Sequence, residues 1–319
     1  MKEFRINKND AGQRADKFIT KAVPSLPKNL LYKYIRLKRI KVNGKRCEIS
    51  TRLCEGDIMQ LYINDEFFEG GDSKKVFLSA PCDIDIVYED ENILLANKKS
   101  GLVVHEDESG TGDTLINRIT HYLYNKKEYD PEKESSFAPA LCNRIDRNTS
   151  GIVICAKNAE ALRVLNQKVK DREIKKKYLC ITVGIPKIKE AELRAFMIKD
   201  ESTKTVTVYD KPNDKTKTMI TKYKVLRENK DDGLALLDVD LITGRTHQIR
   251  AHLAHEGYPL LGDGKYGSNR VNKTFGIKTQ ALCSYCLRFE FKTDAGALDY
   301  LNGKEFKIED IWFKEKYFR

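Results

Sequence analysis

Two unequal modules, each mixing helices with strands, are what this sequence predicts, and three observations carry the prediction. Its 319 residues exceed a single domain of about 100–200 residues and fit two, and 40% hydrophobic content is enough to pack cores. Its positive charge is concentrated at one end. Its apolar residues switch between helical and strand periodicity from segment to segment, with Gly, Pro and Asn-Gly punctuation between.

The formal net charge is +11 and the isoelectric point about 9.1. Residues 1–64 hold 15 Lys/Arg against 6 Asp/Glu, a net of +9, whereas the remaining 255 hold 43 against 41, a net of +2. Within residues 28–52 nine cations meet one acid, Glu48. A charge run is usually a solvated face, but these cations interleave with Leu30, Leu31, Tyr34, Ile35, Ile40 and Val42, so the segment folds. One basic module on a nearly neutral body is the electrostatic footprint of a nucleic-acid reader. No apolar run approaches the ~18 residues of a membrane helix, and the N-terminus has no apolar signal core. The expectation is a soluble, cytoplasmic protein that makes no use of a membrane.

The first module reads as helix, helix, strand, turn, strand. Ala15, Phe18, Ile19 and Ala22 fall at helical spacing within residues 11–22, and Pro24-Ser-Leu-Pro27 ends that helix. A second helix over 28–37 leads into Arg39-Ile-Lys-Val-Asn-Gly-Lys-Arg46, where apolar alternation and Asn43-Gly44 predict a strand and a tight turn. Glu55-Gly-Asp57 makes another turn before a strand over 58–63. This order, with Leu53-Cys-Glu-Gly-Asp-Ile-Met59 at its end, resembles the alpha-L RNA-binding domain first named for a small-subunit ribosomal protein. The resemblance covers about residues 12–62. It implies contact with structured RNA through Lys28, Lys33, Arg36, Lys38, Arg39, Lys41, Lys45 and Arg46. The aperiodic, Gly-containing stretch that follows reads as a linker over 64–79, so the modules are 1–63 and 80–319. A second polar stretch, 124–136, is expected to be an exposed loop.

Three segments of the larger module could carry chemistry. In Asn143-Arg-Ile-Asp-Arg-Asn-Thr-Ser-Gly151, Asp146 lies between two arginines in a polar loop before an apolar strand over 151–156. Nearby positive charge favours the carboxylate, so the loop is either a surface ion-pair cluster or a mounted carboxylate nucleophile. A helix over 159–169 follows. In the next strand, 178–183, alternation puts Tyr178, Cys180 and Thr182 on one face and Leu179, Ile181 and Val183 on the other. Tyr178 is then either a site residue or a packed core tyrosine. The third segment is a strand over 234–243, a Gly turn, and a helix from Thr246 to Gly257, a natural C-terminal cap. Arg250 sits in its first turns. His252 and His255 could share a metal, but no carboxylate or thiol cluster completes a site. The eight cysteines are scattered, and Cys283 and Cys286, three apart on a strand, should point to opposite faces.

Together the segments are similar to the RluA family of pseudouridine synthases over nearly all of residues 81–291. Gly244-Arg-Thr-His-Gln-Ile-Arg250 matches that family's motif in full, followed by Gly257-Tyr-Pro-Leu-Leu-Gly-Asp-Gly-Lys-Tyr-Gly267. Ile86-Val-Tyr-Glu-Asp-Glu-Asn-Ile-Leu-Leu-Ala-Asn-Lys98 and Gly101-Leu-Val-Val-His105 match its opening strands. Three positions depart: Asn143 and Cys283 stand where a His is usual, and Lys99 where a Pro is usual.

The resemblance implies an α+β fold with a mixed, largely antiparallel sheet flanked by helices. It implies isomerisation of uridine to pseudouridine within RNA, with no metal, redox or nucleotide cofactor and no obligate protein partner. By motif match, Asp146 is the essential carboxylate, either attacking the anomeric carbon or removing the neighbouring ribose proton. Arg250 would pair with it, and Tyr178 would stack on the uracil and assist removal of the proton from its fifth ring carbon. Arg144 would fill the gap left by the extracted base. Asn143, Arg147, Arg245 and His247 complete the expected substrate-binding set. Ribosomal RNA of the large subunit is the first choice of substrate and transfer RNA the second. An assembly factor whose catalysis is secondary is the alternative from another class.

Overall fold

A computed structural model describes residues 1–68, 71–106 and 110–318. In chain order its first elements are β1 (Lys2–Arg5), α1 (Ala15–Ala22), α2 (Lys28–Arg36), β2 (Ile40–Val42), β3 (Lys45–Arg46) and β4 (Ile58–Leu61). They make an antiparallel sheet in the order β1-β4-β2-β3. Both helices lay their apolar stripes on one face of it, Phe18, Ile19, Leu31 and Ile35 against Ile40, Met59 and Leu61. Asn43 and Gly44 both take left-handed backbone, as a tight hairpin turn requires. Two departures from expectation have local causes. Helix α1 begins at Ala15 rather than residue 11, because Gly12 adopts φ +79° in a turn closed by its N–H on the Leu53 carbonyl. Strand β1 is new, its apolar signal of Phe4 and Ile6 being too short to show a period.

Short 3₁₀ turns over Asp65–Phe68 and Gly71–Ser79 follow. Glu69 and Gly70 of the expected linker lie outside the described residues. The larger body then runs β5 (Ile86–Glu89), β6 (Ile93–Lys98), α3 (Leu115–Asn125), β7 (Ala140–Leu141), β8 (Ser150–Ala156), α4 (Ala159–Lys170) and β9 (Ile174–Val183). It continues with β10 (Glu190–Asp200), β11 (Thr205–Tyr209), β12 (Lys217–Asn229), β13 (Leu234–Leu241), α5 (Gln248–His255), α6 (Asn269–Thr274), β14 (Leu282–Phe289) and β15 (Glu305–Lys307). The strand order is β11-β10-β12-β13-β9-β14-β8-β6-β5, with β15 on β14 and β7 on β8. This is the mixed, largely antiparallel sheet of an α+β fold. No helix among the described residues is long and apolar enough to cross a membrane.

The one parallel strand pairing among the described residues joins β14 to β8 through Cys283–Ser150 and Ser284–Gly151 alone. That seam unites two half-sheets. Gly151, at φ +117°, has no room for a side chain there, because a Cβ would collide with the Ser284 backbone.

Helices α3 and α5 cover one face through Leu115, Ile119, Leu123, Ile249 and Leu253. The C-terminal residues Ile311, Phe313 and Phe318 cover Leu179, Ile181, Leu234 and Leu236 on the other. Strand β9 is therefore packed on both faces, with Tyr178 and Cys180 on the side of α3 and α5 and Leu179 and Ile181 on the side of the C-terminal residues. The Cys283–Cys286 expectation is also corrected: a bulge between them in β14 resets the alternation, and both are buried, free thiols.

Residues 124–136 are not a free loop. Helix α3 takes the first of them, and the rest form a seat for the first module. Buried Asp10 accepts from the Ser136 hydroxyl (2.6 Å) and N–H (3.2 Å), and Gln13 donates to the Ser136 hydroxyl (2.7 Å). The amides of Asn9 and Asn7 donate to Glu134 (2.8 and 3.3 Å), and Arg163 of α4 donates to the Ala11 carbonyl (3.1 Å).

Candidate active site

The loop carrying Asp146 is pinned from beneath. Ile145 packs into the core, and the Thr149 N–H closes a turn on the Asp146 carbonyl (3.0 Å). Lys98, fully buried at the end of β6, donates to the carbonyls of Lys99 (3.0 Å), Leu102 (2.7 Å) and Arg147 (2.8 Å). Burial pushes its ammonium down to about 7, against the pull of Asp146. The Ser100 hydroxyl and the Gly101 N–H tie the same loop at the carbonyls of Asn148 and Arg147. The Asp146 carboxylate, 27% exposed, stands at the top of this support.

Helix α5 brings the countercharge. Arg250 Nη1 donates to Asp146 Oδ2 (2.7 Å), while Nε and Nη2 grip both oxygens of Asp263 (2.7 and 3.0 Å). Asp263 is fully buried and accepts further from the backbone N–H groups of Lys265 (2.8 Å) and Tyr266 (3.1 Å). Burial works against both charges. The mutual pairing outweighs it, raising Arg250 and holding Asp263 below the usual carboxylate range. The fork geometry makes the guanidinium a rigid arm, fixed at one end and aimed at Asp146 by the other. The ring of Tyr266 lies beneath it, 5.3 Å from the guanidinium carbon.

The helix starts two residues later than the sequence suggested. His247 holds left-handed backbone (φ 51°), so α5 begins at Gln248. The Gln248 side chain fixes that entry by accepting from the Thr243 hydroxyl (2.8 Å) and the Arg245 N–H (3.1 Å). His247 Nε2 lies 3.9 Å from Asp146 Oδ2, and burial lowers its pKa despite that carboxylate.

Tyr178 is 5% exposed in the core cluster beside the loop. Burial first, and the Asp146 charge second among the raising influences, push its phenol up to about 12. Asp146, Arg250, Tyr178 and His247 are therefore brought together. Other expected site residues are placed elsewhere. Asn143 is buried with its Oδ1 on the Ile154 N–H (2.8 Å), a bond inside the sheet. Arg144 and Arg245 are exposed, the latter donating to the Thr218 carbonyl (3.3 Å). Arg147 lines a separate cavity of about 520 Å³ with Lys98, Lys99, Gly101 and Arg118.

His252 and His255 do not share a site. His252 faces Thr221 in the core and is pushed down to about 4 by burial, and His255 faces Asp210 at the surface. Sequence reasoning missed Asp263, Tyr266 and Lys98. The signal for the first two was an acid and a tyrosine inside the Gly-rich run after Leu260-Leu261.

In the first module, Lys28, Lys33 and Arg36 are exposed on α2, and Arg39, Lys41 and Arg46 follow on the sheet face away from the helices. Lys45 is exposed in the hairpin, and Lys38 is exposed in left-handed backbone after α2.

A carboxylate on a pinned loop, clamped by a helix-borne arginine beside a buried tyrosine, sits within the region that matches the RNA pseudouridylate synthase family model, residues 92–255. The chain belongs to that family. An S4 domain model matches residues 13–58, where the alpha-L resemblance lies. Over 325 residues the synthase is 31% identical to an uncharacterized RNA pseudouridine synthase of Mycoplasma capricolum, covering 99% of this chain and all of the relative. It is 31% identical to the ribosomal large subunit pseudouridine synthase C of Vibrio parahaemolyticus, over 96% of this chain and 94% of that one. The synthase fold also aligns with human RNA pseudouridylate synthase domain containing 4, at a TM-score of 0.55 and 20% identity, over 77% of this chain and 94% of that one.

Proposed function

We propose that this pseudouridine synthase modifies large-subunit ribosomal RNA in the cytoplasm, with Asp146 as its catalytic carboxylate. The observation that carries the site assignment is the Asp146–Arg250–Asp263 arrangement. Arg250 is anchored on a fully buried acid and spends one N–H on Asp146 Oδ2, which leaves Oδ1 without a hydrogen bond among the described residues. A carboxylate held by one oxygen and free at the other is poised to act on a ribose entering the cleft. The target uridine must leave its stack to reach it. Tyr178, protonated at neutral pH, offers its ring to the uracil. Exposed Arg144, two residues before Asp146, fills the space the base vacates, and residues 1–63 hold the surrounding RNA through phosphates. The choice of RNA rests on relatives named ribosomal large subunit pseudouridine synthase C.

The test of the target is pseudouridine mapping in a deletion strain complemented with wild type or Asp146→Asn. One or more large-subunit sites should vanish and return only with wild type. Loss confined to transfer RNA would overturn the choice of substrate.

A further inference from the structure

Three polar groups lead from the β10–β11 hairpin to the Asp146 carboxylate. The Val206 N–H of β11 donates to the Tyr266 hydroxyl oxygen (2.8 Å). The same hydroxyl lies 2.9 Å from His247 Nδ1. A backbone N–H can only donate, so the phenol oxygen is an acceptor toward Val206. Its single hydrogen is then free to be directed at Nδ1, an arrangement in which Nδ1 presents a lone pair. A neutral imidazole with Nδ1 as acceptor carries its proton on Nε2. Nε2 is the atom that faces Asp146 Oδ2, at 3.9 Å.

We propose that Tyr266 is a positioning residue that fixes His247 as the neutral Nε2–H tautomer and so brings Asp146 a second donor beside Arg250. The inference rests on the assignment of Asp146 as catalytic carboxylate. Independent features support it. His247 takes left-handed backbone where the chain enters α5. Burial keeps its imidazole neutral more readily than in water. The hairpin is locked to the Tyr266 segment a second time, by Lys265 Nζ on the Lys204 carbonyl (3.0 Å), and Met197, Val206 and Met219 pack with Ala251 of α5. At 3.9 Å the last link is longer than a hydrogen bond, as catalytic contacts often are before substrate tightens them. Seating the hairpin against RNA would then act on Asp146 through this chain.

The experiment is long-range ¹H–¹⁵N correlation of the full-length, histidine-labelled protein at pH 7.5, with His247→Gln assigning the resonance. Wild type should show His247 protonated on Nε2 and unprotonated on Nδ1. Tyr266→Phe should give a tautomer mixture and lower kcat about tenfold, roughly one hydrogen bond's contribution, with KM little changed. A wild-type ring protonated on Nδ1 overturns the proposal, and so does a Tyr266→Phe protein with the tautomer and kcat both unaltered. The wild-type spectrum needs no variant to fold. If the spectra behave as expected while Asp146→Asn keeps its turnover, the Asp146 assignment has failed and the tautomer control has not.

Discussion

Around the first sheet the cations stand outside: Lys28, Lys33, Arg36, Lys38, Arg39, Lys45 and Arg46 are exposed, Arg39 lies over the Tyr34 ring, and none of the seven pairs with a carboxylate among the described residues. Around Asp146 the opposite holds. Arg250 and Asp263 are buried, mutually paired and bonded at nearly every polar atom. The first arrangement acts at a distance, and each charge contributes a similar, salt-screened increment. The second acts by geometry, and loss of one member leaves an uncompensated charge in a dry site. Substitutions should therefore be graded and additive in the first module and abrupt in the second.

The sharpest break of this contrast is Asp146→Asn, which should lower turnover by more than about a thousandfold while changing RNA affinity less than about twofold. Tritium release from labelled uridine and filter binding measure the two, and substantial residual turnover would end the assignment. Next in size, Asp263→Asn should cost about 3–5 kcal/mol of stability, because it breaks a buried pair by removing one partner; urea unfolding reads it. Lys33→Gln, Arg36→Gln and Arg39→Gln together should flatten the log–log salt dependence of RNA binding by about 2–3, at roughly 0.7–0.9 per lost phosphate contact. Turnover at saturating RNA should hold. An unchanged slope would make these residues ordinary solvated surface.

The smallest effect is expected at the junction between the modules. Burial and the nearby Asp10 carboxylate raise Glu134 above the usual carboxylate range. A raised carboxyl favours the docked, folded form when protonated. That contribution is present below the ordinary carboxylate pKa and is lost as pH rises through the raised value. Melting temperature should thus decline slightly over that interval in wild type, and Glu134→Gln should remove the decline.

Asp146, Tyr178 and Arg250, the residues proposed to act, stand out in the sequence because each sits in a short segment that resembles a motif of the family. Asp263 and Lys98 were not, since their meaning comes from what folds around them. Nothing local says that Lys98 will cap three carbonyls, one of them 49 positions along the chain. The start of α5 was missed for a related reason, since a histidine in left-handed backbone violates the propensity that sets helix boundaries. Residues 124–136 read as solvent-exposed because their partners, Asp10 and Gln13, lie in the other module.

Gly151 gives the active site its gauge. Asp146 rides on the half-sheet containing β8, Tyr178 on the half containing β9, and β14 meets β8 at only two residue pairs, one of them Gly151 with Ser284. The spacing between carboxylate and tyrosine is thus calibrated by a side chain that is missing. One added methyl would act as a wedge at the narrowest point of the joint and widen the jaw above it. Misplacement of about 1 Å can cost a hundredfold in rate, so the tolerance of the proposed site is set in part at a glycine buried in the sheet.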